Sequence, residues 1–261
     1  MKLYCALLVL ILTTSYWSTA QIETTPKLNK WKISSFGIEA GMIRDSYAKM
    51  DLESMSDFTK NPALLDRNLD GYTENLYRES SGRKLGANVV ITRTDPSSRL
   101  THEIRLGAFY SEREPFISYN SNDFDATGEY SSIIYCNVVH EASLDGAYIL
   151  RRSVKRAKWF STYVGIGATL GASFNNKLVV MENTVTDADF NFDESHNETY
   201  DAKESIFTRL YLPVGIQATI LGKVNVGIES NIGIGLQSVI KGKSYCMPLN
   251  TGLTLKLGYN L

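Results

Sequence analysis

Two segments of the chain alternate strictly between apolar and small or polar residues. In 160–174 the even positions run Phe160, Thr162, Val164, Ile166 and onward, while the odd positions are rich in glycine and serine. The same pattern returns in 224–235. A period of two residues predicts β-strands. Strands with an apolar outer face and a small, polar inner face are typical of a transmembrane β-barrel, in which lipid contacts the apolar face and no strand edge is left unpaired.

The alternation extends along the chain and predicts eight strands. Their approximate ranges are 31–44, 84–94, 100–110, a less regular strand that ends near 150, 160–174, 210–220, 224–235 and 253–261. Short connections are predicted at 95–98, 151–158 and 221–223, long ones at 45–83, 111–135 and 175–204, and an intermediate one at 237–247. Bacterial outer-membrane barrels have short periplasmic turns and long outer loops. The predicted fold is therefore all-β, an eight-stranded antiparallel up-and-down transmembrane β-barrel with long extracellular loops and short periplasmic turns.

The N-terminus predicts export. Met1 and Lys2 precede an apolar run over Leu3–Leu12, and Ser18-Thr19-Ala20 offers a small-x-small cleavage site before Gln21. The alternative is an uncleaved helical anchor, but the apolar run is shorter than the roughly 20 residues that span a bilayer. We expect a signal peptide at 1–20, a short segment at 21–30 and the barrel domain at 31–261.

The predicted inner face carries five charges at one depth. Measured from the periplasmic ends of the strands, they lie about five or six residues in, and they are Glu39, Arg105, Asp145, Glu229 and Lys256. Since buried charges need opposite partners, we expect Lys256 between Glu39 and Glu229, and Arg105 facing Asp145. An eight-stranded barrel is only wide enough for side chains, so the lumen is predicted to be closed by a charge network. The alternative is a soluble sheet with these charges on its solvated face.

Three segments resemble a known family. They are Phe36–Gly41 in the first strand, Tyr163–Ala168 continuing to Ser173–Asn176 in the fifth, and the terminal Leu255–Leu261. Over nearly all of the exported chain, the pattern resembles the small outer-membrane β-barrel proteins of Bacteroidota-type bacteria. The resemblance implies the fold, an outer-membrane location and insertion by the barrel assembly machinery. The last strand departs from the usual aromatic ending, since Leu261 is last and Tyr259 stands two before it.

The net charge and the cysteines give limited information about what the protein binds. The formal net charge of −1 gives no reason to expect nucleic-acid binding. Cys136 and Cys246 remain after cleavage of the signal peptide, and either a disulfide or two free thiols is compatible with the sequence.

No residue is assigned a catalytic role. Nucleophilic catalysis needs a nucleophile within reach of a base. His102 and Glu103 would lie on opposite faces of one strand, as would His140 and Ser143, and His196 stands in an acidic loop.

One loop motif suggests a metal. Asp66-Arg67-Asn68-Leu69-Asp70-Gly71 matches the first half of a calcium loop, and Glu74 takes its ninth position. The twelfth position is Tyr77 where a bidentate glutamate is expected. A Ca²⁺ site formed by Asp66, Asn68, Asp70 and Glu74 is one hypothesis; solvated loop acids are the other, and no other cofactor is expected.

The function expected from these features is that of a non-enzymatic outer-membrane barrel. Its lumen is plugged by side chains, and its long loops serve envelope structure or partner contacts. The expected partners are outer-membrane lipid and lipopolysaccharide, the barrel assembly machinery during insertion, and an unidentified protein at the loops. The alternatives are a secreted lipocalin-like barrel that binds a small hydrophobic ligand and, more remotely, a lipid-modifying barrel enzyme. A lipocalin would need an apolar interior and a Gly-x-Trp near the first strand, which this sequence does not offer.

Overall fold

The computed structural model describes residues 31–61, 65, 68–75, 79–94, 100–121, 129–157, 159–186 and 191–261. The predicted signal peptide at 1–20 and the segment at 21–30 lie outside the described residues. The strands are β1 (Lys32–Ser46), β2 (Tyr72–Asn75), β3 (Glu79–Thr94), β4 (Leu100–Ser121), β5 (Glu129–Ser153), β6 (Phe160–Thr186), β7 (Asn191–Asp201), β8 (Ser205–Ile220), β9 (Val224–Val239) and β10 (Ser244–Asn260). A single helix of the described residues, α1, covers Leu52–Phe58. No helix in these ranges is long and apolar enough to cross a membrane.

Eight of the strands close into a ring. Each pairs antiparallel with its neighbours in the order β1-β3-β4-β5-β6-β8-β9-β10, and β10 pairs back to β1 from Ser35↔Asn260 to Ser46↔Leu249. The predicted up-and-down eight-stranded barrel is confirmed. We call the end where β1 begins and β10 finishes the terminal end, and the opposite end the loop end.

Polarity in the barrel wall is inside out, as the alternation predicts. Outward Ile38 and Ile166 are 56% and 59% exposed, whereas inward Glu39 is 2% exposed. Outward apolar side chains surround the wall between the two ends. The residues of this apolar belt include Phe36, Ile38, Met42, Leu85, Leu106, Leu144, Ile166, Leu170, Leu210, Ile216, Val226, Ile228, Ile232, Leu253, Leu255 and Leu257.

The strands continue past the predicted boundaries at the loop end. The predicted loop 111–135 is mostly strand in β4 and β5, and 175–204 contains the end of β6 and all of β7. Beyond the ring, β2 pairs with β4 and β7 pairs with β6, which makes a five-stranded projecting sheet in the order β2-β4-β5-β6-β7. The predicted intermediate loop 237–247 is wrong as well, because β9 and β10 run to Val239 and from Ser244. The outward apolar pattern ends where the belt ends, so it could not indicate strands that continue beyond it.

Polarity reverses at the loop end, where an apolar cluster closes the barrel mouth. This mouth cluster packs α1 and the segment after β1 against the inner face of the projecting sheet. Its buried members are Tyr47, Met50, Met55, Phe58, Leu65, Ile117, Tyr119, Ile133, Tyr135, Leu178, Val180, Ala202, Val239, Tyr245 and Met247. Phe58 stacks on Tyr245 with ring centroids 5.2 Å apart. The mouth therefore has the ordinary core of a water-exposed domain.

Asp51 caps the start of α1. Its Oδ1 accepts hydrogen bonds from Ser54 N–H at 2.8 Å and from the Ser54 hydroxyl at 2.7 Å. Partial burial alone would raise the pKa of Asp51, but the bonds from Ser54 and the nearby Lys49 outweigh it and lower that pKa. Seven residues form a helix that is marginal alone, so the cap and the mouth cluster hold α1 in place.

Inward glycines make room for aromatic rings. A Cβ added to Gly167 would lie 2.3 Å from the ring of Tyr211, and one added to Gly171 would lie 2.4 Å from the ring of Phe207. At Gly215 the added Cβ would meet both the Tyr163 ring at 2.4 Å and the Ile228 carbonyl oxygen at 2.7 Å. The glycine-rich inner face is thus a set of flat positions on which rings from neighbouring strands lie.

Gly215→Ala is therefore expected to destabilise the barrel by about 1–3 kcal/mol through overpacking. Gly146→Ala is the matched control, because its added Cβ would approach Leu106 Cδ2 no closer than 3.7 Å. Urea unfolding in lipid vesicles, followed by tryptophan fluorescence, measures both. Equal unfolding midpoints for the two variants would contradict this account of the glycines.

Candidate functional site

The lumen is filled by stacked layers of polar and charged side chains, and these form the candidate functional site. The layer nearest the terminal end pairs Glu103 with Arg151, whose Nη2 lies 2.9 Å from Glu103 Oε2. Arg151 also donates to the Ser161 hydroxyl at 3.1 Å and lies over the Tyr163 ring, 4.9 Å from its centroid.

The next layer contains four of the five charges predicted from the sequence. Lys256 Nζ lies 3.0 Å from Glu39 Oε1 and 2.5 Å from Glu229 Oε2, which is the predicted position of Lys256. Arg105 Nη1 lies 2.7 Å from Glu229 Oε2 and 3.7 Å from Glu39 Oε1. Two cations thus neutralise two carboxylates that are almost fully buried. We call Glu39, Arg105, Glu229 and Lys256 the central quartet.

The predicted pairing of Arg105 with Asp145 is wrong. In the strand register Arg105 lies opposite Ala147, while Asp145 lies opposite Gly107 and so one inward position nearer the loop end. Asp145 accepts hydrogen bonds from the Tyr211 hydroxyl at 2.7 Å and from the Thr169 hydroxyl at 2.7 Å. Counting residues from the strand ends ignores the stagger between strands. The long guanidinium of Arg105 instead reaches across the lumen to the far wall.

A second charge cluster, which the sequence reasoning missed, lies nearer the loop end. Arg113 contacts both Asp45 and Glu141, and all three side chains are completely buried. Arg209 Nη2 lies 3.3 Å from Asp45 Oδ2 and 3.4 Å from Glu141 Oε2. We call Asp45, Arg113, Glu141 and Arg209 the upper quartet. Like the central quartet, it balances two positive against two negative charges.

Neighbouring side chains fix the upper quartet. The Ser111 hydroxyl donates to Glu141 Oε2 at 2.8 Å, and the Asn250 amide donates to Asp45. The Arg209 guanidinium lies 4.1 Å from the centroid of the Phe207 ring. The signal for this cluster was in the sequence, because continuing the alternation past Arg44 and Tyr110 puts Asp45 and Arg113 on the inner face.

Small cavities lie between the layers. Two cavities, one beside the central quartet and one between Asp145 and Arg209, have volumes of about 30 and 40 Å³. Each has room for one or two water molecules. The described part of the barrel thus holds a lumen blocked at several depths by paired charges, aromatic rings and the mouth cluster.

The remaining chemistry-bearing residues are dispersed. His102 Nδ1 lies 2.5 Å from the Tyr148 hydroxyl, and His140 Nδ1 lies 2.7 Å from the Tyr110 hydroxyl, both on the outer wall. His196 contacts Glu198 at 3.3 Å. Cys136 and Cys246 are free thiols, the first buried and the second exposed.

Part of the calcium motif lies outside the described residues, namely Asp66, Arg67 and Tyr77. Asn68 Oδ1 accepts a hydrogen bond from Asp70 N–H at 2.9 Å, and Gly71 has a φ of +83°, so this segment is a tight turn. Glu74 follows in β2. In the described ranges, no group of three histidine, cysteine, aspartate or glutamate side chains is placed to hold a metal ion.

No protein-family model matches the chain, and no curated protein matches it. Among solved structures, Neisserial surface protein A is similar, with a TM-score of 0.38 and 8% identity over 89% of this chain and 99% of that one. The attachment invasion locus protein Ail of Yersinia pestis, in complex with the heparin analogue sucrose octasulfate, has a TM-score of 0.26 and 11% identity over 88% of this chain and 100% of that one. The translocator domain of the autotransporter NalP from Neisseria meningitidis has a TM-score of 0.24 and 10% identity over 98% of this chain and 96% of that one. These similar structures are outer-membrane β-barrels.

The upper quartet generates a stability prediction. Arg113→Met would leave Asp45 and Glu141 buried with only Arg209 as a charged partner, so we expect a loss of about 3–5 kcal/mol of unfolding free energy. Arg83→Met is the control, because Arg83 is an exposed outward residue 4.0 Å from Glu112 and surface pairs contribute about 0–1 kcal/mol. Urea unfolding in vesicles measures both variants. If Arg113→Met is as stable as Arg83→Met, the upper quartet does not support the barrel.

Proposed function

We propose that this protein is a non-enzymatic outer-membrane barrel whose closed body holds its loop end at the cell surface for envelope structure or partner contacts. The carrying observation is the combination of an apolar outer wall with a lumen blocked by paired charges. In this proposal, a cleaved signal peptide exports the chain, the barrel assembly machinery inserts it, and the terminal end faces the periplasm. The Bacteroidota-type assignment stays a prediction from the sequence resemblance.

The apolar belt supports insertion in a bilayer. Water would have to solvate a continuous ring of exposed leucine, isoleucine and phenylalanine side chains, whereas soluble monomers rarely expose large contiguous apolar patches. Closure of the ring by β1 and β10 leaves every wall strand with two neighbours. Both properties are those that hydrocarbon requires of a β-structure.

The projecting sheet supports a role in display. It extends β4, β5 and β6 beyond the barrel and packs one face on the mouth cluster, so it holds the loop end above the belt. We propose lipopolysaccharide and an unidentified protein as the partners at this end. The strongly acidic sequence of β7 and its flanks would suit divalent cations that bridge to lipopolysaccharide phosphates.

The lipocalin-like alternative has less support. A soluble barrel of that type needs an apolar cavity for its ligand, and in the part of the chain that the structure describes the lumen holds charged layers instead. The lipid-modifying alternative would need a nucleophile beside a base. The two outward histidines bond to tyrosine hydroxyls, so we propose no catalytic residue.

The proposed location and closure are tested together. Envelope fractions of cells that express the protein should give a band on a denaturing gel whose migration changes on boiling, as is typical of folded membrane barrels. Purified protein in liposomes should allow arabinose entry no faster than protein-free liposomes, because the lumen is blocked at several levels. An unshifted band in the soluble fraction would contradict the membrane location, and solute entry at porin-like rates would contradict the closed lumen.

Calcium binding at Asp66, Asn68, Asp70 and Glu74 is a separate proposal carried by the sequence motif. Since the twelfth position lacks its glutamate, we expect weak binding, with a dissociation constant in the millimolar range. Isothermal titration of the folded barrel with CaCl₂ checks this, with Asp66→Asn/Asp70→Asn as the variant that should lose the heat signal. Identical signals from the variant and the unchanged protein would rule out this site.

A further inference from the structure

Basic side chains line the outer wall at the terminal end. Arg93 of β3 lies directly opposite His102 of β4, and Arg152 of β5 lies opposite Leu100, which shares the outer face with His102. Arg93 and Arg152 are exposed, and His102 is partly buried beside Tyr148. We call Arg93, His102 and Arg152 the basic row. It crosses three adjacent strands at the edge of the apolar belt.

The opposite edge of the same three strands has a balanced arrangement. There Arg83 of β3 lies opposite Glu112 of β4, and Glu112 lies opposite His140 of β5. His140 pairs with the Tyr110 hydroxyl just as His102 pairs with Tyr148. At the loop end, the middle strand β4 therefore places the negative charge of Glu112 between Arg83 and His140. In the basic row, the same strand carries His102 instead.

Other charges at the terminal end increase the imbalance. Lys155 and Arg156 in the turn after β5, and Lys223 in the turn before β9, are exposed. Glu103 at this end points into the lumen and pairs with Arg151. Asp95, two residues after Arg93 in the sequence, lies outside the described residues. Its single negative charge could offset only one of the two positive charges of Arg93 and Arg152. Like charges on adjacent strands repel, so this edge favours an external anion.

We propose that the basic row binds the phosphate of an anionic phospholipid in the leaflet that contacts the terminal end. This inference rests on the proposed membrane function, because the row lies at lipid-headgroup depth only if the belt is in a bilayer. The guanidinium groups of Arg93 and Arg152 would donate to phosphate oxygens. In the tautomer whose Nδ1 accepts from the Tyr148 hydroxyl, His102 carries its proton on Nε2 and supplies a third donor. Exposed Trp159 and Tyr148 suit the same interface.

Lipid binding to the folded barrel tests the proposal. The protein, folded in dodecylmaltoside micelles, is titrated with phosphatidylglycerol or phosphatidylcholine, and bound lipid is counted by native mass spectrometry. We expect phosphatidylglycerol to bind in preference to phosphatidylcholine. The variant Arg93→Gln/Arg152→Gln should bind it about 30-fold more weakly, at about 1 kcal/mol for each arginine near anionic lipid. The matched control Arg44→Gln/Arg83→Gln removes two outward arginines at the loop end and should bind as the unchanged protein does.

Each other outcome overturns the proposal. Equal affinity of the basic-row variant and the unchanged protein would show that the row binds no lipid. Equal weakening by the control variant would show that only overall charge matters. Displacement of the lipid by an equal concentration of glycerol phosphate would indicate a site for a free phosphate instead of a lipid.

Failure of the membrane function gives a different result. Insertion into vesicles of phosphatidylcholine alone, detected by the band shift on boiling, does not require the basic row. A chain that fails to insert there contradicts the proposed function, whereas a chain that inserts but shows no preference for phosphatidylglycerol contradicts the basic row alone.

Discussion

Pairing of opposite charges across a lumen too narrow for bulk water is the constraint on which the barrel depends. In the central quartet, Lys256 and Arg105 together contact both Glu39 and Glu229. These four residues lie on β1, β4, β9 and β10, so the ion pairs connect opposite sides of the wall. A single buried charge without a partner would cost several kcal/mol. The pairs therefore favour the one register in which all of them form, and the inward glycines leave room for the aromatic rings beside the charged layers.

The polarity of the inner and outer faces changes along the length of the strands. Within the belt, outward residues are apolar and inward residues are polar, as hydrocarbon outside and paired charges inside require. Above the belt the strands of the projecting sheet have apolar side chains such as Ile117 and Leu178 on their inner face, where α1 covers them. The change of polarity occurs near the Tyr110–His140 pair, beyond which Glu112 lies on the outer face of β4.

The sequence predicted the part of the fold that the belt governs. The alternation around Ile166 and Val226 specified the strands, their faces and the closed ring, because in the belt one rule applies to every strand. It also predicted the position of Lys256. The pairing of Arg105 was missed because the stagger between strands follows from ring closure and not from any one segment. The upper quartet and the mouth cluster were missed because the outward apolar signal stops before Asp45 and Arg113, and because α1 is too short to have a helical pattern of its own.

The inside-out polarity of the wall can be measured directly by quenching of tryptophan fluorescence with brominated lipid. Ile166→Trp would place an indole on the outer wall in the belt, and Thr169→Trp would place one in the lumen, each in a background with Trp31, Trp159 and, if retained, Trp17 changed to phenylalanine. The account predicts strong quenching for Ile166→Trp in vesicles of brominated phosphatidylcholine and little quenching for Thr169→Trp. Strong quenching at position 169 with none at position 166 would contradict it.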